Sequence, residues 1–196
     1  DYRKQIYIIK SLAHLQPPMG VGTLWLERFS PYFTRPEEFG IKIKGPGEAY
    51  PYVYDSNELD LMKVAYDYEF ETKRIVDPRL EEELQKSTQE WRRRHQSEKT
   101  PFLFFTKSMD FVTVYDDRSL ESVKTRLEGP HAWAFIFCNE APKSLEHIRE
   151  HLREKIGQEP ENGLTENTIA FLEEKGLLYG ERGKYLNLAL PHNSNL

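Results

Sequence analysis

The segment His147-Ile148-Arg149-Glu150-His151 puts two histidines one helical turn apart with a glutamate between them. In that spacing paired imidazoles can hold zinc while the carboxylate activates a water. Counted at about 100° per residue from Leu145, however, Ile148, Leu152 and Ile156 share one direction and both histidines point away from it. The expectation is a solvated pair and no metal site. Asp116-Asp117 offers adjacent carboxylates at the end of a strand-like run, where closing a hairpin or meeting Arg118 is a better use than acid–base work. Cys138 follows Phe135-Ile136-Phe137, an apolar setting that raises a thiol's pKa and marks it as inert core. No Ser-His-Asp set or glycine-rich phosphate loop can be assigned, so no catalytic residue is expected in this chain.

Binding is the chemistry with more support. Leu26-Glu27-Arg28-Phe29-Ser30-Pro31-Tyr32-Phe33, continuing through Arg35-Pro36-Glu37-Glu38-Phe39-Gly40, gathers aromatics and prolines around one arginine without helix or strand periodicity. One reading is a structural lid in which the prolines fix the backbone and a buried Arg28 pairs with a carboxylate. Tyr50, Tyr52 and Tyr54 alternate like one face of a strand, and can either pack in a core or line a substrate groove.

These residues need a scaffold. Asp77-Pro78 supplies an N-cap and a first-turn proline, and Leu80, Leu84 and Trp91 then share a helical face to about Gln96. Glu81-Glu82-Glu83 at its start and Arg92-Arg93-Arg94-His95 at its end complement the helix dipole. Before it lies a loop-rich cap, residues 1–76, with turn signals at Pro17-Pro18, Gly20, Gly22, Gly45-Pro46-Gly47 and Pro51, and a helix expected over Glu58 to Glu71. Residues 77–100 form the link. From 101 to 196 a hairpin is expected from Phe102-Leu103-Phe104-Phe105-Thr106 and Phe111-Val112-Thr113-Val114-Tyr115. Helices follow over Ser119 to Leu127, Ala132 to Asn139 and Ser144 to Ile156, then one capped by Thr165 and closed by Gly176, and a terminal hairpin through Glu181-Arg182-Gly183. The class is α+β: an aromatic-rich irregular cap, a linking helix and a C-terminal domain of winged helix-turn-helix outline.

Composition narrows the partners. The 196 residues are 38% hydrophobic and 13% aromatic, and no apolar run reaches the ~20 residues of a membrane helix. A single cysteine and the lack of a signal segment fit a reducing cytoplasm. Lys+Arg 27 against Asp+Glu 32 argues against a phosphate backbone as partner. From Ser119 onward there are 9 Lys and Arg and 12 Asp and Glu, and the expected recognition helix, Glu166 to Lys175, is acidic, so nucleic acid is excluded as an expectation.

Gln16-Pro17-Pro18, the Leu26 to Phe33 stretch and Pro36-Glu37-Glu38-Phe39-Gly40 resemble the C-terminal region of radical S-adenosylmethionine maturases that modify ribosomally made peptides. Many of those are cobalamin-dependent C-methyltransferases. The likeness continues through Tyr50-Pro51-Tyr52-Val53-Tyr54, Tyr66-Asp67-Tyr68, Trp91, Asp116-Asp117-Arg118 and Tyr185-Leu186-Asn187-Leu188-Ala189-Leu190, most of the chain. The resemblance implies a parent enzyme that uses a 4Fe–4S cluster, S-adenosylmethionine and commonly cobalamin. It departs at the cluster: the family's Cys-x3-Cys-x2-Cys loop is missing and Cys138 is alone. With Asp1 opening directly into Ile6-Tyr7-Ile8-Ile9, the expectation is a non-catalytic C-terminal fragment. It would bind no cofactor by itself, partner the upstream radical and cobalamin domains, shape the substrate side through Arg28, Tyr32, Tyr50, Tyr52 and Tyr54, and help hold a precursor peptide. Peptide-recognition domains of such systems share the winged outline and capture a leader as an added strand, and the Phe102 to Tyr115 hairpin offers an edge for it. A free-standing peptide-binding or dimerisation module, or a winged-helix regulator, are the alternatives.

Overall fold

A computed structural model describes residues 2–55, 57–73, 77–119 and 121–192. The chain is mixed α and β, and its packing separates two units: residues 20–85, and residues 1–19 together with 86–196. The first nineteen residues thus group with the C-terminal part. Among the described residues no helix is long and apolar enough to cross a membrane.

In the smaller unit, β1 (Leu26–Glu27), β3 (Asp67–Thr72) and β2 (Ile41–Pro46) form an antiparallel sheet in the order β1-β3-β2. Its core cluster is small: Leu26, Ile41, Ala65 and Tyr68 are buried, with Phe33, Phe39, Tyr50 and Phe70 packed on them. The aromatic stretch expected to be irregular condenses into short turns. Phe29 takes a left-handed φ of 69°, Ser30 caps α2 (Pro31–Thr34) by accepting from the Phe33 amide at 3.2 Å, and a 3-10 turn (Pro36–Phe39) ends at Gly40, φ 67°. The left-handed region costs glycine nothing, so Gly40 is placed where the turn requires it.

Two expectations fail here. Tyr50, Tyr52 and Tyr54 are not a strand: α3 (Tyr50–Val53) is a single helical turn, its start favoured by Pro51 with a pre-set φ. The helix expected over Glu58 to Glu71 is only α4 (Leu61–Val64), capped by Asp60, whose carboxylate accepts from the Met62 amide at 3.1 Å. The remainder is β3, in which Tyr68 and Phe70 alternate with Asp67, Glu69 and Glu71 at the period of a strand.

In the larger unit, α1 (Tyr2–Ser11) comes first. The long α5 (Pro78–His95) begins in the smaller unit, and its Trp91 indole donates to the Leu15 carbonyl at 3.0 Å. β4 (Leu103–Lys107), β5 (Phe111–Asp116) and β6 (Val123–Glu128) then form an antiparallel meander. β6 overturns the helix expected over Ser119 to Leu127, because Val123, Thr125 and Leu127 alternate and pair residue for residue with β5. Next come α6 (Gly129–Phe137), β7 (Lys143–Ser144), α7 (Leu145–Ile156), α8 (Leu164–Glu174) and the hairpin β8 (Leu178–Glu181)–β9 (Lys184–Asn187). β7 pairs with β9, giving a small sheet in the order β7-β9-β8. β10 (Leu190–Pro191) returns to β4 in parallel, so the larger sheet reads β10-β4-β5-β6.

The core of this unit lies between the larger sheet and α6, α7 and α8. Leu103, Phe105, Val112, Val114 and Leu127 meet Phe135, Ile148, Leu152, Ile169 and Leu172. The helix expected over Ser144 to Ile156 is present as α7, with Ser144 as its cap, and Gly157, φ 79°, ends it. Thr165 does not cap α8. Gly163 occupies that position and Thr165 is buried inside the first turn.

One buried polar joint ties the termini of several elements together. The Arg118 guanidinium holds Asp116 through Nη2 at 2.6 Å and Nε at 2.9 Å, and donates to the carbonyls of Ser11 at 2.8 Å and Gly176 at 2.9 Å. Burial raises the Asp116 pKa, but the hydrogen bonds and charge of Arg118 outweigh it and leave the carboxyl below its usual range. Asp116-Asp117 is thus a strand-end structural pair, and Asp117 is held by Ser122 and Lys99.

Candidate functional site

The residues expected to contact substrate fall in the smaller unit and divide into two roles. Arg28 turns inward. Its Nε donates to the Ala65 carbonyl at 2.6 Å and its Nη2 to the Met62 carbonyl at 2.6 Å and to the Tyr68 hydroxyl. The Tyr68 hydroxyl donates onward toward the same two carbonyls, each at 3.0 Å. Those carbonyls close α4, so Arg28 satisfies acceptors that the end of a short helix leaves open. The guanidinium carbon also lies 5.4 Å from the Tyr68 ring centroid and 5.8 Å from that of Phe33. The carboxylate partner expected of the lid is replaced by carbonyls, and Arg28 is half-buried, not deeply buried.

The tyrosines are scattered by the helical turn. Tyr50 and Tyr54 come to the same side, rings 6.0 Å apart, and the Tyr50 hydroxyl accepts from the Tyr66 amide at 2.7 Å. Tyr52 points elsewhere and is 91% exposed. Tyr32 lies edge-on to Phe39 at 4.6 Å. Since the Arg28 amide donates to the Tyr66 carbonyl, Arg28 and Tyr50 flank one residue, whereas Tyr32 and Tyr52 stand apart from them.

His147 is exposed, in line with its expected position. His151 is not solvated as expected: its ring stacks on Phe137 at 4.2 Å, and burial pushes its pKa down. It borders a cavity of about 390 Å³ lined also by Phe111, Val112, Trp133 and Ile136. Cys138 is fully buried and burial pushes its thiol up to about 12, so it carries no thiolate at neutral pH. Buried and protonated, Cys138 does not fit a cluster ligand.

The edge expected on the Phe102 to Tyr115 hairpin is taken on both sides: β10 lies on β4 and β6 lies on β5. The open edge is the outer side of β6, against which no described residue forms a ladder. Its polarity follows from the register. The Ser108 amide bonds the Phe111 carbonyl and the Asp117 amide the Phe102 carbonyl, so the odd-numbered residues of β5 face β4 and the even-numbered ones face β6. Val123, Thr125 and Leu127 therefore bond to β5, and the amides and carbonyls of Lys124, Arg126 and Glu128 point outward. A helical reading of the segment hides these three residues. The alternation of Val123, Thr125 and Leu127 was the signal that could have found them.

Side chains on the outer face of the sheet form rows across the strands. Phe104 stacks on Tyr115 at 4.9 Å and Lys124 lies 5.3 Å from the Tyr115 centroid. Arg126 sits 3.7 Å over Phe111 and pairs with Glu128 at 2.6 Å. Comparison of the chain with protein-family models, with curated proteins and with solved structures gives no match in any of the three.

Proposed function

We propose that this chain is the non-catalytic, peptide-holding C-terminal portion of a radical S-adenosylmethionine peptide-modifying enzyme, of the C-methyltransferase kind. The observation that carries the peptide-holding part is the open outer edge of β6, with three residues whose backbone groups face outward. An extended peptide laid along it gains main-chain hydrogen bonds of the kind a sheet already makes, and needs little prior structure of its own. The order α6-β7-α7-α8-β8-β9, with the strands arranged β7-β9-β8, supports a winged-helix assignment for the part that follows β6. The family assignment rests on the sequence resemblance alone. In this reading the cluster, S-adenosylmethionine and cobalamin belong to domains upstream in the parent chain, and this portion shapes the substrate side without touching the reacting carbon.

Nucleic acid is a poor partner on the same surface. The exposed positions of α8 and its C-cap include Glu166, Asn167, Glu173, Glu174 and Lys175, a net acidic set that repels a duplex. Calorimetry with the leader of a precursor peptide from the same gene neighbourhood should give micromolar binding, and random duplex DNA should give none. Absence of heat with the leader would remove the peptide-holding reading and leave a packing or dimerisation module. Salt-sensitive DNA binding would favour a regulator.

A further inference from the structure

The edge has a chemistry of its own beyond the capacity to add a strand. Lys124 and Arg126 are two residues apart, so both side chains rise on the outer face while both backbones face the open side. Each cation is already placed over an aromatic ring of β5, Lys124 over Tyr115 and Arg126 over Phe111, which fixes it above the sheet. On the other face of the same strand, Leu127 is buried and Val123 is 51% exposed, leaving an apolar flank beside the edge. A strand added here would put every second side chain in line with Lys124 and Arg126, and the intervening ones beside Val123 and Thr125.

Resting on the peptide-holding reading above, we propose that the β6 edge selects an extended segment with acidic residues at alternate positions and apolar residues between them. The two acids face Lys124 and Arg126, the apolar residue between them lies beside Thr125, and the apolar residue beyond the acid facing Lys124 covers the Val123 flank. The peptide carboxylate opposite Arg126 displaces Glu128, whose pairing in cis keeps the guanidinium occupied on the free edge. A cation or neutral residue then suits the peptide position opposite Glu128.

The test uses the full chain and three fluorescein-labelled peptides of equal length followed by anisotropy: serine-flanked repeats of Glu-Val, the same repeats of Lys-Val, and a block peptide with the glutamates together and the valines together. The alternating acidic peptide should bind about tenfold tighter than the basic one and clearly tighter than the block peptide, and added salt should weaken it. Lys124→Glu with Arg126→Glu should reverse the preference. Arg126→Pro should abolish binding of every peptide while leaving the fold intact, because that amide faces outward and donates to no strand.

Equal binding of acidic and basic peptides, lost in Arg126→Pro, would overturn the charge selection and leave edge capture standing. Binding of the block peptide as tight as the alternating one would show general attraction of anions and overturn the register. No binding of any peptide would overturn both. Self-association removed by Arg126→Pro, without peptide binding, would give the edge to a second copy of the chain and overturn the proposal too.

Discussion

Arg28 shows how a residue singled out for recognition can be used for construction. Its donors go to two carbonyls and a phenol of its own unit, and in a planar fork that geometry cannot be copied by an ammonium. Arg28→Ala should therefore lower stability by about 2 kcal/mol, the scale of losing charged hydrogen bonds at a half-buried site, and Arg28→Lys should recover less than half of that. Urea titration of the three proteins measures it. A loss below about 0.5 kcal/mol would return Arg28 to the surface and to substrate contact. His14 gives a second expectation. Its Nε2–H donates to the Leu188 carbonyl at 2.8 Å, and its Nδ1 is buried. Burial first, and the nearby Arg118 charge, hold its pKa below the ordinary 6.5. The unfolded chain thus takes up this proton at higher pH than the folded one. Stability is full above pH 6.5 and falls as the pH drops below it toward the folded pKa, a window His151 shares. Asp116, shifted downward, adds its loss only below its ordinary 3.8, as the pH falls through its folded pKa. Melting temperature against pH should show the first decline, and His14→Asn should flatten it.

At the scale of elements, legibility in the sequence tracked how local the deciding signal was. The β4–β5 and β8–β9 hairpins, the start of α5 and the helix α7 are written in neighbouring residues, and the structure has them where expected. β3 and β6 carry charged residues on their exposed faces, and Glu69, Glu71, Lys124 and Arg126 favour helix as readily as an outward strand face. What makes them strands is pairing outside the segment itself: with β2 across a bulge between Ile43 and Gly45 for β3, and with the preceding strand β5 for β6. The tyrosine run failed for the opposite reason. Alternation over Tyr50 to Tyr54 is real in the letters, but Pro51 sets a helical turn locally and, among the described residues, no strand pairs with it to reward extension. The candidate edge was therefore legible as a kind of feature and misplaced by one strand, because its position depended on the misread β6.

For the whole molecule, the two units differ in how much apolar surface they bury. Among the described residues the core cluster of residues 20–85 has four buried members, and that of the larger unit has sixteen. Burial supplies about 25 cal/mol per Å² of apolar surface, so local opening should cost less in the smaller unit. Hydrogen exchange followed by mass spectrometry should accordingly show the amides of β2 and β3 exchanging well before those of β4, β5 and α8. Equal protection in both would mean that the chain unfolds as one cooperative body.

The two residues of β10 set a limit on stoichiometry. Sheets propagate when both margins can recruit, and this one terminates on one side in a stub whose second residue, Pro191, has no amide hydrogen to offer. Head-to-tail stacking of copies, which would lay the β6 margin of one on the β10 margin of the next, is therefore disfavoured by a proline.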